Sequence, residues 1–406
     1  MPHDAALIST IATSLVYALV GGYIAARVGL SPIVGYLIAG IAVGPFTPGF
    51  VADTHLAEQL AEIGVILLMF GVGMHFSFAE LLAVRRIAIP GAIVQVVVAT
   101  AMGGALALLW GWPPGTALVF GLALSVASTV VLLRALEARD ALASPEGHIA
   151  IGWLIVEDLA MVLVLVVLPA VASSLGGAVE SETAATARSL PIELAITFAK
   201  VAGFVATMLV VGARVLPWLL DRVARTGSRE LFTLAVVVAS LGVAFGSAEL
   251  FGVSYALGAF FSGILVNASD HSKRAGADAR PLQDAFGVLF FVSVGMLFDP
   301  AVLLREPGRV AATLAIIILG KALTAFVIVR LFRHSTRTAL VIAASLAQIG
   351  EFSFVLAALG VRLHLLSQDA VSLIVAGALL SITVNPLIFR LFCGARGAKL
   401  SGDAAH

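Results

Sequence analysis

Charged residues are scarce in this chain, and cysteine is almost absent. Asp, Glu, Lys and Arg make up 12% of its 406 residues, whereas soluble domains carry roughly 25%. A soluble fold this poor in charge could not cover its apolar core, so lipid must be the solvent for much of the chain. The single cysteine, Cys393, excludes an internal disulfide framework and a cysteine metal site. The net charge of zero argues against nucleic acid as a partner.

Apolar runs of membrane-spanning length follow one another along the chain, and 60% of its residues are hydrophobic. A helix needs about 20 apolar residues to cross the hydrocarbon core. Charges, glycines and prolines divide the runs into thirteen predicted spans. These spans cover residues 5–25, 32–50, 56–76, 86–110, 114–136, 149–171, 192–216, 230–247, 249–268, 282–298, 309–330, 338–361 and 368–393. We therefore predict an all-α polytopic membrane protein that forms one membrane domain over residues 1–406.

Most basic residues fall in the odd-numbered loops or after the last span. The even-numbered loops hold only Arg188, Arg305, Arg309 and Arg362. Because short cytoplasmic loops are enriched in Lys and Arg, we predict that the N-terminus lies outside and the C-terminus lies in the cytoplasm. The expected location is a bacterial-type cytoplasmic (inner) membrane.

Short motifs recur between the two halves at a nearly constant spacing. Gly-Val-Gly-Met at 71–74 matches Ser-Val-Gly-Met at 293–296, and Thr-Ala-Leu-Val at 116–119 recurs at 338–341. Gly40 in span two likewise matches Gly263 in span nine. Each matching pair of spans is seven spans apart. Because successive spans cross the membrane in alternating directions, an odd separation places the two copies in opposite orientations. We predict two inverted six-helix repeats joined by a linker helix, as in many secondary transporters with a midplane site.

Three charged side chains are predicted to lie near the bilayer midplane. Glu157 and Asp158 interrupt span six and Lys321 lies in span eleven, each about 13 Å from a cytoplasmic end at 1.5 Å per residue. Such a charge costs about 2.5–3.5 kcal/mol on insertion scales. Because adjacent helical residues point in different directions, we predict that one carboxylate pairs with Lys321 while the other binds a transported ion. A purely structural ion pair is the alternative, and it leaves the second carboxylate unpaired.

Two polar segments occupy equivalent places in spans five and twelve. Span five contains Ser125, Ser128 and Thr129, and span twelve contains Gln348, Gly350 and Glu351. We predict two broken helices that cross at the midplane, where unwound backbone offers carbonyl ligands and half-helix ends offer dipoles. The alternative is ordinary packing of Ser and Thr, with their hydroxyls bonded to the preceding helical turn.

These features favour a transporter over an enzyme. The His-Glu-x-x-His motif of zinc proteases is absent, and an aspartyl protease would need a second central Asp besides Asp158. We predict a secondary active transporter that exchanges potassium or sodium for protons by alternating access, because proton and cation must compete for one oxygen site. An ion-coupled symporter or a cation channel on a related inverted-repeat fold is the alternative. We expect membrane lipid around the chain, no cofactor and no tight structural metal.

A set of motifs distributed over the whole chain carries a family resemblance. The motifs are Gly35 to Gly40 with Gly44-Pro45, Ser128-Thr129, Glu157-Asp158, Gly295-Met296, Lys321 and Gln348 to Phe352. On these residues the chain resembles the Kef-type branch of the monovalent cation:proton antiporter superfamily. The resemblance implies a sodium/proton antiporter-like fold, with cation and proton bound at Asp158 and with Glu157 paired to Lys321. It also implies a homodimer that works by an elevator motion.

The same resemblance implies a division into a scaffold and a moving core. The scaffold would comprise residues 1–85 and 230–300, which hold spans one to three and eight to ten. The core would comprise residues 86–171 and 308–393, which hold spans four to six and eleven to thirteen. Residues 190–229 would form the linker, span seven.

The chain departs from the Kef-type pattern in two respects. Kef-type proteins have Gln-Asp in span six where this chain has Glu157-Asp158, which leaves the choice between potassium and sodium and the proton-to-cation ratio open. Kef-type chains also often continue into a cytoplasmic nucleotide-binding regulatory domain, whereas this chain stops shortly after Cys393. We therefore expect that such a domain is either lacking or missing through truncation.

Overall fold

The chain is helical throughout the part that the structure describes. The structure, a computed structural model, describes residues 6–48, 51–76, 78–137, 141–142, 144–177 and 190–393. The predicted loop at Arg188 and the residues after Cys393 lie outside these ranges. The helices are α1 (Ala6–Arg27), α2 (Pro32–Val43), α3 (Thr54–His75), α4 (Phe78–Leu109), α5 (Pro114–Ser125), α6 (Thr129–Glu137), α7 (Pro145–Val171), α8 (Leu190–Thr207), α9 (Ala213–Ala224), α10 (Arg229–Val237), α11 (Val243–Phe251), α12 (Tyr255–Asn267), α13 (Ser272–Met296), α14 (Val302–Arg305), α15 (Pro307–Ala315), α16 (Lys321–Leu331), α17 (Thr336–Leu346), α18 (Glu351–Arg362) and α19 (Gln368–Cys393). Short π-helical turns join α8 to α9, α10 to α11 and α15 to α16.

Ten helical stretches in the described part are long and apolar enough to cross a membrane. Their outer surface is apolar as well, since Leu109, Leu250 and Leu331 are 83%, 80% and 75% exposed. A surface of this kind needs lipid as its solvent. The chain is therefore an integral membrane protein, as its composition predicted.

Three further helices occupy the places of predicted spans two, nine and ten. The helices α2 and α12 are apolar but have only 12 and 13 residues, fewer than a helix needs to cross the hydrocarbon core unaided. The third, α13, has 25 residues and begins with several charged ones. The count of thirteen spans therefore stays a prediction.

The boundary between predicted spans eight and nine lies further along the chain than we expected. The sequence placed it between residues 247 and 249, but α11 continues to Phe251. Gly252 then ends that helix with a φ of 65°, a left-handed conformation that favours glycine and commonly stops helices. Ser254 starts α12, because its hydroxyl accepts a hydrogen bond from the Leu257 N–H.

Predicted spans five and twelve are both interrupted. The first unwound segment, residues 126–128, separates α5 from α6. The second unwound segment, residues 347–350, separates α17 from α18. Helix α5 packs against α18, so the two interrupted helices lie side by side. The Ser128 and Gly350 carbonyls accept from the Leu132 and Ser353 N–H groups of the helices that follow. Other backbone groups of these segments lie outside the helices, and at membrane depth they must find partners elsewhere.

Glycines allow two very close helix crossings. Gly295 on α13 meets Gly40 on α2, and Gly263 on α12 meets Gly73 on α3. A Cβ on Gly295 or on Gly263 would lie 2.2 Å from a backbone carbonyl oxygen of the opposite helix. Only small residues permit this approach of two backbones within a membrane. The crossings join α2 to α13 and α3 to α12, and because α13 also packs against α3, the four helices form one group.

Candidate functional site

Two adjacent carboxylates lie inside α7. Ser144 starts this helix by accepting a hydrogen bond from the Gly147 N–H at 3.0 Å, and Pro145 occupies the first helical position, where proline is favoured. Glu157 and Asp158 lie near the middle of the helix and are 0% and 3% exposed. A charge in such surroundings is costly unless it is paired, hydrogen-bonded or neutralised. Each carboxylate therefore requires a partner group, a proton or a cation.

The first unwound segment supplies a partner to Glu157, and the first residue of α6 supplies one to Asp158. The Ala127 N–H donates to Glu157 Oε2 at 3.0 Å. The Thr129 hydroxyl donates to Asp158 Oδ2 at 3.1 Å. The second oxygens, Glu157 Oε1 and Asp158 Oδ1, are buried without a hydrogen-bond partner among the described residues. Asp158 therefore offers a free oxygen beside a hydroxyl and unwound backbone, which suits either a proton or an oxygen-seeking cation.

The Gln348 side chain joins the two unwound segments. Its Oε1 accepts a hydrogen bond from the Ser128 N–H at 2.9 Å, and its Nε2 donates to the Ser128 carbonyl at 3.1 Å. The amide thus gives the Ser128 N–H a partner that no helix supplies, and it is a second partner for the Ser128 carbonyl, which also accepts from the Leu132 N–H of α6 at 3.1 Å. Gly350 allows the approach, because a Cβ there would lie 2.4 Å from the Ser128 Cα. The Gln348 amide therefore forms a direct bond between the two unwound segments.

Glu351 opens α18 directly after the second unwound segment and is 5% exposed. The Ser128 hydroxyl donates to Glu351 Oε2 at 3.0 Å, and the same hydroxyl accepts from the Val131 N–H at 3.3 Å. A carboxylate in the first turn of a helix offsets the partial positive charge of the helix start. Glu351 thereby links α18 to the first turn of α6.

Lys321 lies at the start of α16 and is fully buried. Its Nζ donates to the backbone carbonyl of Gln348 at 2.8 Å. The lysine and Glu157 attract each other electrostatically, but the ion pairs of the described residues include no contact between them within 4.0 Å. The Glu157–Lys321 ion pair stays a prediction. The bond from Lys321 to the second unwound segment is a role that the sequence did not reveal.

The Ser125 hydroxyl bonds within its own helix rather than to either carboxylate. It donates to the Leu122 carbonyl at 2.8 Å within the last turn of α5, as in ordinary helix packing. The sequence analysis also missed two buried side chains, Gln95 on α4 and Trp153 on α7, which are 0% exposed. A single glutamine within a long apolar run was the available signal for the first of them.

A cavity of about 920 Å³ lies beside the site, and residues of α3, α7 and α18 line it. Leu165, two helical turns beyond Asp158 on α7, belongs to its wall. Glu62 on α3 and Arg362 on α18 also line it and form an ion pair of 3.0 Å. Asp158 itself does not line the cavity. The cavity therefore extends along α7 towards Asp158 but does not include its carboxylate.

Comparison with known families identifies the kind of protein that carries this site. The family model described as "Sodium/hydrogen exchanger, transmembrane" matches residues 14–393. The chain belongs to the sodium/hydrogen exchanger family. The matched range contains both unwound segments, both carboxylates and Lys321, so the whole candidate site lies within the family domain of this exchanger.

Related proteins and a solved structure agree with this assignment. The exchanger is 60% identical over 391 residues to the putative cation/proton antiporter YbaL of Escherichia coli (strain K12), a match that covers 96% of this chain and 69% of that protein. It is 33% identical over 390 residues to K(+) efflux antiporter 4 of Arabidopsis thaliana and spans 64% of that protein.

The solved structure of the sodium proton antiporter MjNhaP1 from Methanocaldococcus jannaschii shares the fold of this chain. The TM-score is 0.70, at 16% sequence identity, and the match covers 98% of this chain and 99% of that chain. The predicted sodium/proton antiporter-like fold is confirmed.

Proposed function

We propose that this protein exchanges a monovalent cation, potassium or sodium, for protons across the membrane by alternating access. The observation that carries the proposal is the setting of Asp158, whose Oδ2 bonds to Thr129 while its Oδ1 has no partner among the described residues. Within a membrane such a carboxylate must take up a proton or a cation, because an uncompensated charge is too costly. Family membership supports the proposal, as do the names of the relatives, a putative cation/proton antiporter and a K(+) efflux antiporter.

Proton and cation compete for the Asp158 carboxylate. When Asp158 is ionised, a cation binds its oxygens together with the Thr129 hydroxyl and carbonyls of the first unwound segment. When a proton binds instead, the neutral side chain no longer holds the cation, which leaves. The core crosses with either occupant but not with an empty, ionised carboxylate, because that state carries an unpaired charge through the membrane. This rule couples the two ion flows.

Glu157 and Lys321 set the charge balance of the cycle. In our proposal the two form an ion pair that keeps its protonation state, so that one proton exchanges for one cation and transport is electroneutral. If the pair opened and titrated in each cycle, two protons could move per cation, and 100 mV would contribute about 2.3 kcal/mol. Clamping the liposome potential at zero leaves the exchange equilibrium unchanged only in the electroneutral case.

The proposed ion pair between Glu157 and Lys321 also leads to a prediction about the stability of the protein. Removing one member of a buried pair strands the other, at a typical cost of about 3–5 kcal/mol. We expect the double variant Glu157→Gln with Lys321→Gln to unfold less readily than either single variant, as measured by thermal denaturation in detergent. A double variant that is less stable than both single variants would contradict the pairing.

The glycine crossings support two inverted six-helix repeats. The repeat relates Gly40 to Gly263 and Gly73 to Gly295. The contact between Gly40 and Gly295 therefore maps onto the contact between Gly263 and Gly73, as a two-fold relation requires. With α2, α12 and α13 counted as spans, the chain has thirteen spans, of which span seven is the linker. In this arrangement the N-terminus is outside and the C-terminus is in the cytoplasm.

The proposed elevator motion requires that the ion site moves as one body. The proposed core, residues 86–171 and 308–393, contains both unwound segments and both carboxylates, and the Gln348 amide bonds the segments together. The proposed scaffold, residues 1–85 and 230–300, contains the glycine crossings, and residues of both bodies line the cavity. A homodimer in a bacterial-type inner membrane completes the proposal, on the family resemblance.

The deciding experiment is ion exchange by the purified protein in proteoliposomes. Potassium and sodium are supplied in turn against a pH gradient, with potassium first because of the named relatives. We expect Asp158→Asn to lose exchange, since the amide keeps the shape of the side chain but cannot ionise. Asp369→Asn, at an exposed position in the first turn of α19, is the matched control and should keep it. Wild-type exchange by Asp158→Asn would refute the assignment, and proton movement in the same direction as the cation would favour a symporter.

A further inference from the structure

A second, smaller cavity lies where α3 and α12 end and α13 begins. Its volume is about 340 Å³, at the low end of the range for small-molecule sites. Every residue that lines it belongs to the proposed scaffold, and none of the residues around Asp158 is among them. The exchange proposed above therefore makes no use of this cavity, which we call the α13 cavity.

Contacts between three helices set the walls of the α13 cavity. The glycine crossing described above holds the end of α3 against α12. Beyond that crossing, the side-chain amide of Asn267, the last residue of α12, donates to the Phe76 carbonyl at 3.1 Å. The Gln283 amide reaches from α13 to α3, where it would lie 3.0 Å from a Cβ on Gly71. The walls are therefore positioned by packed helices and not by a loose loop.

One face of α13 lines the cavity with two basic and two small residues. Lys273, Gly276, Ala277 and Arg280 all line it, and they have the i, i+3, i+4, i+7 spacing of a single helical face. The backbones of Lys273 and Arg280 are about 10.5 Å apart along the helix at 1.5 Å per residue. The two small residues between them leave the space into which both long side chains extend.

The positive charge of the α13 cavity is not balanced by the protein. Neither Lys273 nor Arg280 belongs to an ion pair of the described residues, and no described Asp or Glu lines the cavity. Arg274 on the same helix differs, because its guanidinium lies over the Phe232 ring, 4.0 Å from the ring centre. Basic residues are common at the cytoplasmic ends of membrane helices, but here two of them converge on one concave space. Such a space attracts an anion.

The set of donors favours a phosphate group over a carboxylate. A guanidinium presents a rigid fork that matches phosphate oxygens, and an ammonium adds a point charge. A phosphate monoester carries a charge of about −1.5 to −2 at neutral pH, which the two cations balance, whereas a carboxylate carries only one charge. Ser272 and Gln283 also line the cavity and offer a hydroxyl and an amide to the remaining oxygens.

We propose that Lys273 and Arg280 bind the phosphate group of an anionic ligand in the α13 cavity. The ligand is a soluble phosphate compound or the headgroup of an anionic phospholipid, since both present the same chemistry. The small volume accepts the phosphate with at most a small substituent, so the rest of a larger ligand extends outside. A bound phosphate joins α13 to the ends of α3 and α12 and thereby stabilises the folded protein.

Calorimetric titration of the purified, delipidated protein in detergent tests the soluble ligand, with inorganic phosphate as the probe and acetate at equal ionic strength for comparison. Lys273→Gln and Arg280→Gln should each weaken phosphate binding by about 10–100-fold, through the loss of a charge-assisted hydrogen bond. Ala277→Leu keeps both cations but fills the cavity, so it should weaken binding as well. Arg222→Gln is the matched control, because it removes an exposed cation of α9 that does not line the cavity; its affinity should stay within about twofold of the wild type.

Thermal melts in nanodiscs test the lipid headgroup. The discs contain phosphatidylcholine alone or phosphatidylcholine with phosphatidic acid, and a bound headgroup should raise the Tm of the wild type only when phosphatidic acid is present. Lys273→Gln, Arg280→Gln and Ala277→Leu should each reduce that rise, whereas Arg222→Gln should keep it. A response to phosphatidic acid with little binding of free phosphate identifies a lipid ligand, and the opposite result identifies a soluble one. Both results support the site.

Three results would overturn the inference. The first is no binding in either experiment, or binding that does not depend on Lys273, Arg280 and Ala277. The second is an equal loss in Arg222→Gln, which would assign the effect to diffuse surface charge. The third is acetate binding as tight as phosphate binding, which would exclude phosphate recognition. If a charge variant does not fold, Ala277→Leu decides by the same measurements. Neither experiment involves transport, so the site and the proposed exchange can fail independently.

Discussion

The bond between the two unwound segments can be tested by removing the Gln348 amide. Gln348→Leu keeps most of the side-chain volume but loses the donor and the acceptor that pair with the Ser128 backbone at 3.1 and 2.9 Å. The Ser128 N–H then remains buried without this partner, whereas the Ser128 carbonyl still accepts from the Leu132 N–H at 3.1 Å. Gln348 is 0% exposed, so solvent cannot replace the lost bonds without structural change.

The cost follows from the one stranded group, the Ser128 N–H. A buried donor left unsatisfied costs about 1–3 kcal/mol. Hydrogen bonds between membrane helices measure lower on average, because the unfolded chain within the membrane also finds partners. We therefore expect Gln348→Leu to lower the free energy of unfolding by about 1–3 kcal/mol.

The measurement is reversible unfolding in lipid bicelles, followed by tryptophan fluorescence. Gln59→Leu is the matched control, since it makes the same chemical change at an exposed position on α3 and should stay within about 0.5 kcal/mol of the wild type. A loss below about 1 kcal/mol for Gln348→Leu would refute the reasoning, because the amide would then contribute no more than an ordinary polar contact.

Three other predictions concern the glycine crossings, the buried lysine and the ion pair at the cavity. Gly295→Ala should destabilise the protein by about 1–3 kcal/mol through overpacking against a backbone carbonyl, whereas Gly246→Ala, which has open space around the new carbon, should be neutral or stabilising in thermal melts. Lys321→Met should cost more stability than Lys321→Gln, because only the amide can still donate to the carbonyl that the lysine binds; equal losses would count against that bond. Glu62→Gln should change the free energy of unfolding by no more than about 1 kcal/mol, as for other exposed ion pairs. If the contact with Arg362 breaks in each cycle, the same variant should speed exchange in proteoliposomes. An unchanged rate would show that the ion pair takes no part in the cycle.

The sequence predicted the membrane class and the centre of the site because both depend on local features. Apolar runs and loop charges follow from composition along the chain. The two helix breaks fall where small and polar residues interrupt apolar runs, at residues 126–128 and 347–350. The placement of Glu157, Asp158 and Lys321 within the buried interior needed only a count of residues along each predicted span.

What the sequence could not provide depends on contacts between distant segments. The sequence does not distinguish Gly246 from Gly252 as the end of a helix, and only the backbone conformation shows that Gly252 ends α11. The partner of Lys321 is a backbone carbonyl that becomes free only because the helix unwinds at that residue. The contact of Gly91 on α4 with the Trp153 ring on α7 likewise depends on how the two helices pack. No periodicity within one helix contains that information.

The paired glycine crossings also bear on how the sequence of this protein can change over time. At Gly40, Gly73, Gly263 and Gly295 an added carbon would meet a backbone oxygen at 2.1 or 2.2 Å. Smaller neighbouring side chains could not compensate for such a substitution, because the obstacle is the main chain itself. We expect these four positions to remain glycine in any lineage that keeps this fold, while the apolar residues that face lipid exchange freely with one another. A variant found at one of the four positions in a natural population would therefore mark a damaged protein more reliably than many changes elsewhere on its surface.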